Sequence, residues 1–218
     1  MIKILFSTFN FQLSNVNSPT HCLCYIYLMK IVLGSSNPHK VKEINEIVAS
    51  TGREKDIEFI LPSGDFNPDE TGATFAENSL IKAKEAWKLS HDWSLADDSG
   101  LCIDALGGKP GIYSARYAET APKRIERVLK ELDGVENRKA HFICSMTLIN
   151  PQGEVALACE GICKGQIIKE AKGVNGFGYD PIFLPDGYDK TIAELPEDEK
   201  NRISHRYKAL EQVLKYLA

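Results

Sequence analysis

The chain contains 218 residues, of which 43% are hydrophobic and 26% are charged, and its formal net charge is −4. This composition is typical of a soluble globular protein with one domain, or one domain made of two lobes. The acidic balance argues against nucleic acid as a partner. The sequence has no apolar run of the ~20 residues that a membrane-spanning helix needs, so we expect no membrane partner.

The cysteines favour a reducing compartment. Most of them lie in apolar, strand-like segments, and the sequence shows no CxxC pair and no His at zinc-finger spacing from a Cys. We therefore expect buried, reduced thiols in a cytoplasmic protein, with a disulfide framework as the alternative. The six cysteines are Cys22, Cys24, Cys102, Cys144, Cys159 and Cys163.

Residues 1–28 differ in composition from the rest of the chain, since they contain a single Lys and no acidic residue. Asn and Gln residues interrupt the apolar run that a signal peptide needs, and no A-x-A cleavage site follows. The segment MKIVLGSSN begins with Met29 as a natural translation start would. We therefore predict that residues 1–28 are a non-native or loosely attached extension. Residues 29–218 then form the functional domain, and a short targeting segment is the alternative for the first 28 residues.

The first predicted unit is a strand, a turn and a helix. Residues 30–34, KIVLG, form a β-branched run that predicts a buried strand. The turn SSNPHK follows, and a helix is predicted to begin at Pro38, with Asn37 as its N-cap, and to end at Gly52. Free amides and the helix dipole can bind an anion at such a helix start, where Lys40 lies one turn inside. An ordinary capped helix is the alternative.

A second predicted strand, EFILP, leads into a loop rich in Pro, Gly, Asp and Asn over residues 62–73. The next helix is predicted to start after Thr74, because Thr74 and Glu77 fit a capping box. Asp69 and Glu70 in the loop could hold Mg²⁺, which takes one or two carboxylates together with waters and substrate oxygens. Solvated loop charge is the alternative for both residues.

The segment SLADDSGLCIDALGG predicts a strand, a tight turn and another strand. Successive side chains on a strand point to opposite faces, so Asp97 and Asp98 should diverge. A carboxylate at a strand end can bind a metal or act as a general base. Hydrogen bonding within the turn is the alternative, and the strand pattern alone does not identify the active aspartate.

The second half of the chain combines loops, helices and long strands. Residues 108–119 predict a Gly/Pro loop, residues 121–134 an amphipathic helix, and residues 140–168 a hairpin about NPQG. A Gly-rich loop and a short strand follow over residues 173–188, and one helix closes the chain over residues 197–217. This order predicts an α/β fold with a mixed, partly antiparallel, elongated sheet flanked by helices, in two lobes with a cleft between them.

Aromatic and basic residues come together in the motifs GFGYDP and EKNRISHR. Gly176 and Gly178 permit the close approach of a flat ligand, and Phe177 and Tyr179 offer rings for stacking. The residues that follow at the closing helix are Lys200, His205 and Arg206. The alternative is a packed aromatic loop beside a basic helix face.

In this order and spacing, the motifs resemble the inosine triphosphate pyrophosphatase family of Ham1-like enzymes, which hydrolyse non-standard purine nucleoside triphosphates. The resemblance covers residues 29–218 and rests on SSNPHK, DETGATFAENSLIKA, ADDSGLCIDALGGKPGIYSARYA, GFGYDPIF, KTIAEL and EKNRISHR. It implies hydrolysis of ITP, dITP and XTP to the monophosphate and pyrophosphate, with Mg²⁺ as cofactor and a homodimer as the assembly. The alternatives are a non-catalytic protein that binds purine nucleotides and a pyrophosphatase for modified pyrimidine nucleotides.

The resemblance also implies roles for single residues. Asp98 is the implied catalytic base and a Mg²⁺ ligand, with Asp69 or Glu70 as the second ligand. Asp97 is then expected to face local amides or a basic neighbour. Arg206 carries only donors, which suit the 6-oxo group of inosine and not the 6-amino group of adenine. The implied substrate-binding residues are Ser35, Ser36, Asn37, Pro38, His39, Lys40, Ser99, Phe177, Gly178, Tyr179, Asp180, Lys200, His205 and Arg206.

Overall fold

The computed structural model describes residues 28–218 of the chain. In chain order, the strands are β1 (Met29–Leu33), β2 (Ile57–Ile60), β3 (Ser94–Ile103), β4 (Lys139–Ile149), β5 (Val155–Ile167) and β6 (Phe183–Pro185). The α-helices are α1 (Pro38–Ser50), α2 (Phe75–Ser90), α3 (Ala121–Glu131), α4 (Glu197–Ile203) and α5 (His205–Tyr216). Short 3₁₀ turns lie at Asp104–Leu106, Gly111–Arg116, Asp180–Ile182 and Ile192–Glu194.

The sheet joins a parallel part to a longer antiparallel part. Its order is β2-β1-β3-β4-β5-β6, and β1 runs parallel to β2 and β3, whereas the other neighbours are antiparallel. Helix α1 connects β1 to β2, because a parallel pair needs a crossover. Asn150 closes the hairpin between β4 and β5, since its Oδ1 atom accepts from the amides of Gln152 and Glu154. These features confirm the predicted mixed α/β fold.

Two hydrophobic cores share the long strands of the sheet. At the parallel end, α1 and α5 pack against the sheet through buried side chains such as Ile47 and Leu210. At the other end, α3 contributes Val128 to a second core. Strand β4 enters both cores, with Met146 in the first and Phe142 in the second. The two cores correspond to the two predicted lobes, and the polar DDS stretch of β3 lies between them.

The tight turn predicted after the paired aspartates is wrong. Strand β3 continues through this segment because its residues stay in register with β4, where Asp98 pairs with Ser145. Gly100 permits close packing instead of a turn, since a Cβ atom there would lie 2.4 Å from the carbonyl oxygen of Gly111. Both aspartates therefore lie within one continuous strand, which fixes the direction of each side chain.

The prediction of a single closing helix is also wrong. Ser204 has φ −64° and ψ 150°, and this extended residue separates α4 from α5. Its Oγ atom accepts a hydrogen bond from the amide of Tyr207 at 3.0 Å, which caps the start of α5. His205 and Arg206 consequently lie in the first turn of α5, at a break in the helix.

Some predictions lie outside the described residues. These concern residues 1–27, including Cys22 and Cys24, and the side chain of His39. The proposed boundary between an extension and a functional domain therefore stays a prediction. Within residues 28–218, no helix has the length and apolar character needed to cross a membrane. The cysteines of this range are free thiols: Cys102, Cys144, Cys159 and Cys163.

Candidate active site

Strand β3 points its two adjacent aspartates to opposite faces of the sheet. The side chain of Asp97 is only 1% exposed and faces α1 and α5. The side chain of Asp98 is 13% exposed and faces α2. This arrangement follows from the twofold period of a strand and confirms that the two carboxylates diverge. Each carboxylate therefore has its own set of partners.

Asp97 lies among cations. Lys40 Nζ is 2.6 Å from its Oδ1 atom, and Arg206 Nη2 is 3.3 Å from its Oδ2 atom. Ser99 Oγ donates to the same Oδ2 atom at 3.3 Å. Burial alone would raise the pKa of Asp97, but Lys40, Arg206 and Lys82 hold that pKa well below its usual range. Asp97 thus faces basic neighbours, as predicted, and fixes the position of two of them.

Arg206 links three parts of the fold. Its Nη1 atom donates to both carboxylate oxygens of Glu43 in α1, at 2.8 and 3.0 Å. Its Nη2 atom donates to Asp97 and Ser99 of β3. Burial alone would lower the pKa of Arg206, but the carboxylates of Asp97 and Glu43 outweigh this effect and raise the pKa above its usual value. The terminal nitrogens of this guanidinium are therefore engaged within the protein, which ties α5 to α1 and β3.

Helix α2 supplies the partners of Asp98. Lys82 Nζ donates to Asp98 Oδ1 at 2.9 Å, and Asn78 Nδ2 donates to Asp98 Oδ2 at 3.2 Å. Asn78 and Lys82 are four residues apart, so they project from one face of the helix. The Oδ1 atom of Asn78 also accepts from the amide of Gly72, which ties the preceding loop to the start of α2. Asp98 is consequently held in a fixed orientation.

Lys82 joins Asp98 to the acidic loop. Its Nζ atom lies 3.0 Å from Glu70 Oε1 as well as 2.9 Å from Asp98 Oδ1. Burial would lower the pKa of Lys82, but Asp98 and Asp97 raise it. Because both carboxylates contact the same ammonium group, Glu70 and Asp98 are close to each other. Asp69 is exposed at the same loop.

A polar cavity of about 400 Å³ opens beside these residues. Three of its lining residues are cationic, namely Lys40, Lys82 and Arg116, and two are acidic, namely Asp69 and Glu70. The remaining lining residues are Gly34, Ser35, Ser36, Phe66, Asn67 and Pro68. A cluster of cations beside a few carboxylates suits a polyanion that arrives with a divalent cation.

Helix α3 positions Arg116 at this cavity. Arg124 Nη1 donates to the carbonyl oxygen of Ala115 at 2.8 Å, and Arg127 Nη1 donates to that of Tyr117 at 2.7 Å. The guanidinium of Arg127 also lies 3.8 Å from the centroid of the Tyr117 ring. The peptide segment on both sides of Arg116 is therefore held from behind, while its side chain extends toward Glu70 at 4.0 Å.

The carboxylates of the site provide few ligands for a divalent metal. In the described part of the chain, no group of three or more His, Cys, Asp and Glu residues could hold a metal ion by itself. Mg²⁺ needs only one or two protein carboxylates, because waters and substrate phosphates complete its octahedral shell. Glu70 and Asp98, which share Lys82, fit this requirement.

The GFGYD loop presents one aromatic ring to solvent. Phe177 is 61% exposed, and Lys200 Nζ lies 4.7 Å from its ring centroid. Asp180 is buried, and its Oδ2 atom accepts from the amide of Phe177 and from Lys200 Nζ, each at 2.9 Å. Tyr179 is buried and donates its hydroxyl to the carbonyl oxygen of Ser114, so its ring is not free to stack on a ligand. A stacking role therefore falls to Phe177 alone.

His205 packs at the start of α5. Its ring stacks on Phe142, with centroids 5.1 Å apart and an interplanar angle of 15°. Burial, together with Arg206, lowers the pKa of His205 to about 3, so the imidazole is neutral near pH 7. Its buried Nδ1 atom has no hydrogen-bond partner among residues 28–218.

The structure brings the predicted residues together in two groups. Around the polar cavity lie Ser35, Ser36, Lys40, Asp69 and Glu70, with Asp98 joined to them through Lys82. Around the break between α4 and α5 lie Ser99, Phe177, Asp180, Lys200, His205 and Arg206. Asn37 and Pro38 are exposed at the start of α1, and Gly178 has φ +62° beside Phe177.

Four residues of the site were missed by the sequence reasoning: Glu43, Asn78, Lys82 and Arg116. A signal existed for Lys82, because it lies next to Ala83 on the inward face of α2, where a charge needs a partner. Asn78 lies one turn before Lys82 on that face. Glu43 and Arg116 carry no such local signal, since their roles depend on segments distant in sequence.

Comparison with known proteins supplies an independent finding. The model of the Ham1 family matches residues 31–216. A dITP/XTP pyrophosphatase of Nostoc sp. is 43% identical over 188 residues, which cover 86% of this chain and 94% of that protein. A dITP/XTP pyrophosphatase of Bacillus subtilis is 44% identical over 198 residues, covering 88% and 98%. A solved HAM1 protein from Coxiella burnetii is 42% identical, with a TM-score of 0.77 over 87% of this chain and 98% of that chain.

Proposed function

Because this chain belongs to the Ham1 family, we propose that it hydrolyses non-standard purine nucleoside triphosphates to the monophosphate and pyrophosphate. Its relatives named dITP/XTP pyrophosphatase match over nearly their whole length, so dITP, XTP and ITP are the expected substrates. The observation that carries the proposal is the cavity in which Lys40, Lys82 and Arg116 lie next to the Glu70 and Asp98 carboxylates.

The triphosphate is proposed to occupy this polar cavity. Lys40, Lys82 and Arg116 supply positive charge on its walls, and the start of α1 adds backbone amides and the positive end of the helix dipole. Ser35 lies in the turn before α1 and lines the same space. A substrate with several phosphate charges satisfies more of these cations than a monophosphate can, which favours release of the cleaved nucleotide.

We propose that Glu70 and Asp98 hold Mg²⁺ when the nucleotide is bound. The metal supplies charge neutralisation on the phosphates and on the departing pyrophosphate. Glu70 is preferred to Asp69 as the partner of Asp98, because Glu70 shares the Lys82 contact with it whereas Asp69 is exposed. Lys82 remains beside both carboxylates and keeps their negative charge compensated.

Asp98 is proposed to act as the general base. A water oriented by its carboxylate attacks the α-phosphorus, and the bond from this phosphorus to the bridging oxygen of the β-phosphate breaks. The proton of the water passes to Asp98, and pyrophosphate leaves. Asn78 and Lys82 fix the carboxylate before the reaction, so little reorganisation is needed at the moment of attack.

The base is proposed to lie against the second group of residues. Phe177 offers an exposed ring for stacking, and Lys200, His205 and Arg206 surround the region that would receive the 6-position of the purine. A 6-oxo group accepts hydrogen bonds, whereas the 6-amino group of adenine donates them. Adenine would leave a donor of the Lys200 ammonium without an acceptor, and such a mismatch discriminates strongly.

A homodimer in the cytoplasm is proposed as the working state. The family resemblance supports the dimer, and the free thiols of the described residues are consistent with a reducing compartment. Sedimentation of the purified chain tests the assembly. A mass corresponding to a single 24.3 kDa chain at micromolar concentration would rule the dimer out.

Product analysis tests the reaction. The chain is incubated with dITP, XTP, dATP and a modified pyrimidine triphosphate, with Mg²⁺ present, and the products are separated by ion-exchange chromatography. We expect dITP to give dIMP and pyrophosphate, with much slower turnover of dATP. Formation of dIDP and orthophosphate would refute the proposed reaction. Binding of dITP without turnover would favour the non-catalytic alternative, and a preference for the pyrimidine would favour the third.

A further inference from the structure

The KTIAEL motif forms a turn that lies directly behind the GFGYD loop. The turn contains Thr191 and the 3₁₀ segment Ile192–Glu194. Thr191 is buried, and a buried hydroxyl requires a partner. Its Oγ1 atom donates to the carbonyl oxygen of Lys172 at 2.9 Å. The hydroxyl therefore joins this turn to the first residue of the segment 172–180, which we call the base loop.

Glu194 closes the turn from the other side. Its Oε2 atom accepts from the amide of Thr191 at 2.8 Å and lies 3.1 Å from Thr191 Oγ1. The backbone amide of Thr191 lowers the pKa of Glu194. Thr191 is thus held at its backbone by Glu194, while its hydroxyl lies within hydrogen-bond distance of both the Glu194 carboxylate and the carbonyl oxygen of Lys172 in the base loop.

A second contact seats the base loop on the same turn. Gly173 has φ +82°, and a Cβ atom there would lie 2.4 Å from the carbonyl oxygen of Ala193. The amide of Asn175 donates to this same oxygen at 3.1 Å. Gly173 is consequently required both by its backbone conformation and by close approach to the turn.

Residues 174–177 of the base loop are exposed, so the contacts on either side of them decide their position. Val174 is 96% exposed and Phe177 is 61% exposed. At the far end of the loop, Asp180 bonds the amide of Phe177 and the ammonium of Lys200. Phe177 therefore lies between two fixed parts of the loop, which are held by the Thr191 turn on one side and by Asp180 on the other.

We propose that Thr191 is a positioning residue for purine recognition, acting through the base loop to place Phe177. This inference rests on the proposed function, in which Phe177 stacks on the base. Stacking on the base is present in the bound ground state and in the transition state alike. Loss of the anchor is therefore expected to raise KM and to leave kcat nearly unchanged.

The test compares Thr191→Val with Thr191→Ser. Val keeps the shape of Thr and removes the donor to the carbonyl oxygen of Lys172, whereas Ser keeps the donor. We expect Thr191→Val to raise the KM for dITP about fivefold to tenfold, the loss of roughly one hydrogen bond, with kcat within about twofold of the wild type. Thr191→Ser is expected to restore the wild-type KM, and Val174→Ala, a change at an exposed residue of the same loop, to leave it unaltered.

A second readout does not depend on catalysis. Amide hydrogen exchange of the base loop is expected to be faster in Thr191→Val than in the wild type, with exchange in β3 unchanged. Gly173→Ala disturbs the contact between the base loop and the carbonyl oxygen of Ala193, so it is expected to give the same rise in KM. This variant provides the test if Thr191→Val does not fold. A wild-type chain that does not cleave dITP would overturn the proposed function. Unchanged KM and unchanged exchange in an active Thr191→Val would overturn this inference alone.

Discussion

The paired substitutions Asp97→Asn and Asp98→Asn are expected to separate stability from catalysis. Asp97 is 1% exposed and contacts Lys40 at 2.6 Å and Arg206 at 3.3 Å. Removing its charge leaves the buried Arg206 and the half-buried Lys40 with less compensation, and breaking a buried ion pair in this way costs about 3–5 kcal/mol. Glu43 still pairs with Arg206, so we expect a loss of about 3 kcal/mol. For a domain of this size, the melting temperature should fall by roughly 6–12 °C.

The Asp98→Asn substitution is expected to lower kcat strongly and stability only slightly. Asp98 is 13% exposed, and its partner Lys82 keeps a contact of 3.0 Å with Glu70 after the substitution. Asn preserves the shape of the side chain, so we expect a loss of only about 1 kcal/mol and a shift of a few degrees. Because a general base contributes about 10²–10⁴-fold to a rate, kcat for dITP should fall by at least about 10²-fold.

Thermal melting and pyrophosphate release from dITP measure these two effects on the same protein preparations. Each variant serves as the control for the other, since the residues are adjacent and the substitution is identical. Retention of more than a tenth of kcat in Asp98→Asn would reassign the base. Melting of Asp97→Asn within 2 °C of the wild type would refute the role given to the buried ion pairs.

Three further outcomes are expected. The cations around Asp97 hold its pKa below its unfolded value of 3.8, so the stability it contributes is complete above that value and is lost as the pH falls below it. The difference in the free energy of unfolding between wild type and Asp97→Asn, measured in urea, should therefore shrink below about pH 4; a constant difference down to pH 2 would contradict the shift. Glu70→Gln should raise the Mg²⁺ concentration for half-maximal activity at least about tenfold and Asp69→Asn less than about twofold, whereas the reverse order would exchange their roles. Since the pKa of His205 is about 3, its ring resonances in ¹H–¹⁵N spectra should not titrate between about pH 5 and pH 8, and a midpoint near 6.5 would contradict its burial.

Local patterns predicted the parts of the fold that depend on nearby residues. Thr74 caps α2 by accepting from the amide of Glu77, as the spacing of the two residues predicts. Asn150 closes the β4–β5 hairpin through amides within four residues of itself. The opposite directions of Asp97 and Asp98 follow from the strand period alone. Each of these features is determined by residues that lie within four positions of one another in the sequence.

Features that depend on distant partners could not be predicted in this way. The pairing of Asp98 with Ser145 in β4 overrides the turn preference of the DSG sequence. Arg206 finds Glu43 across 163 positions of the chain and Asp97 across 109. From sequence, Arg206 is a free donor that could contact a purine, whereas in the structure its terminal nitrogens are bonded within the protein. Only the tertiary arrangement shows these engagements.

Adjacent acids on one strand are stable here because each has its own cations. The Asp97 carboxylate is bonded to Lys40 and Arg206, and the Asp98 carboxylate is bonded to Lys82. Lys40 also lines the cavity proposed for the triphosphate, so Asp97 fixes one wall of the site without facing the reaction. A phosphate that binds Lys40 does so against a cation already held in place, which reduces the conformational entropy lost on binding. The DD pair therefore has two sets of partners on the two faces of one strand: Asp97 orders Lys40 and Arg206, and Asp98 faces α2, where we propose that it acts on the water.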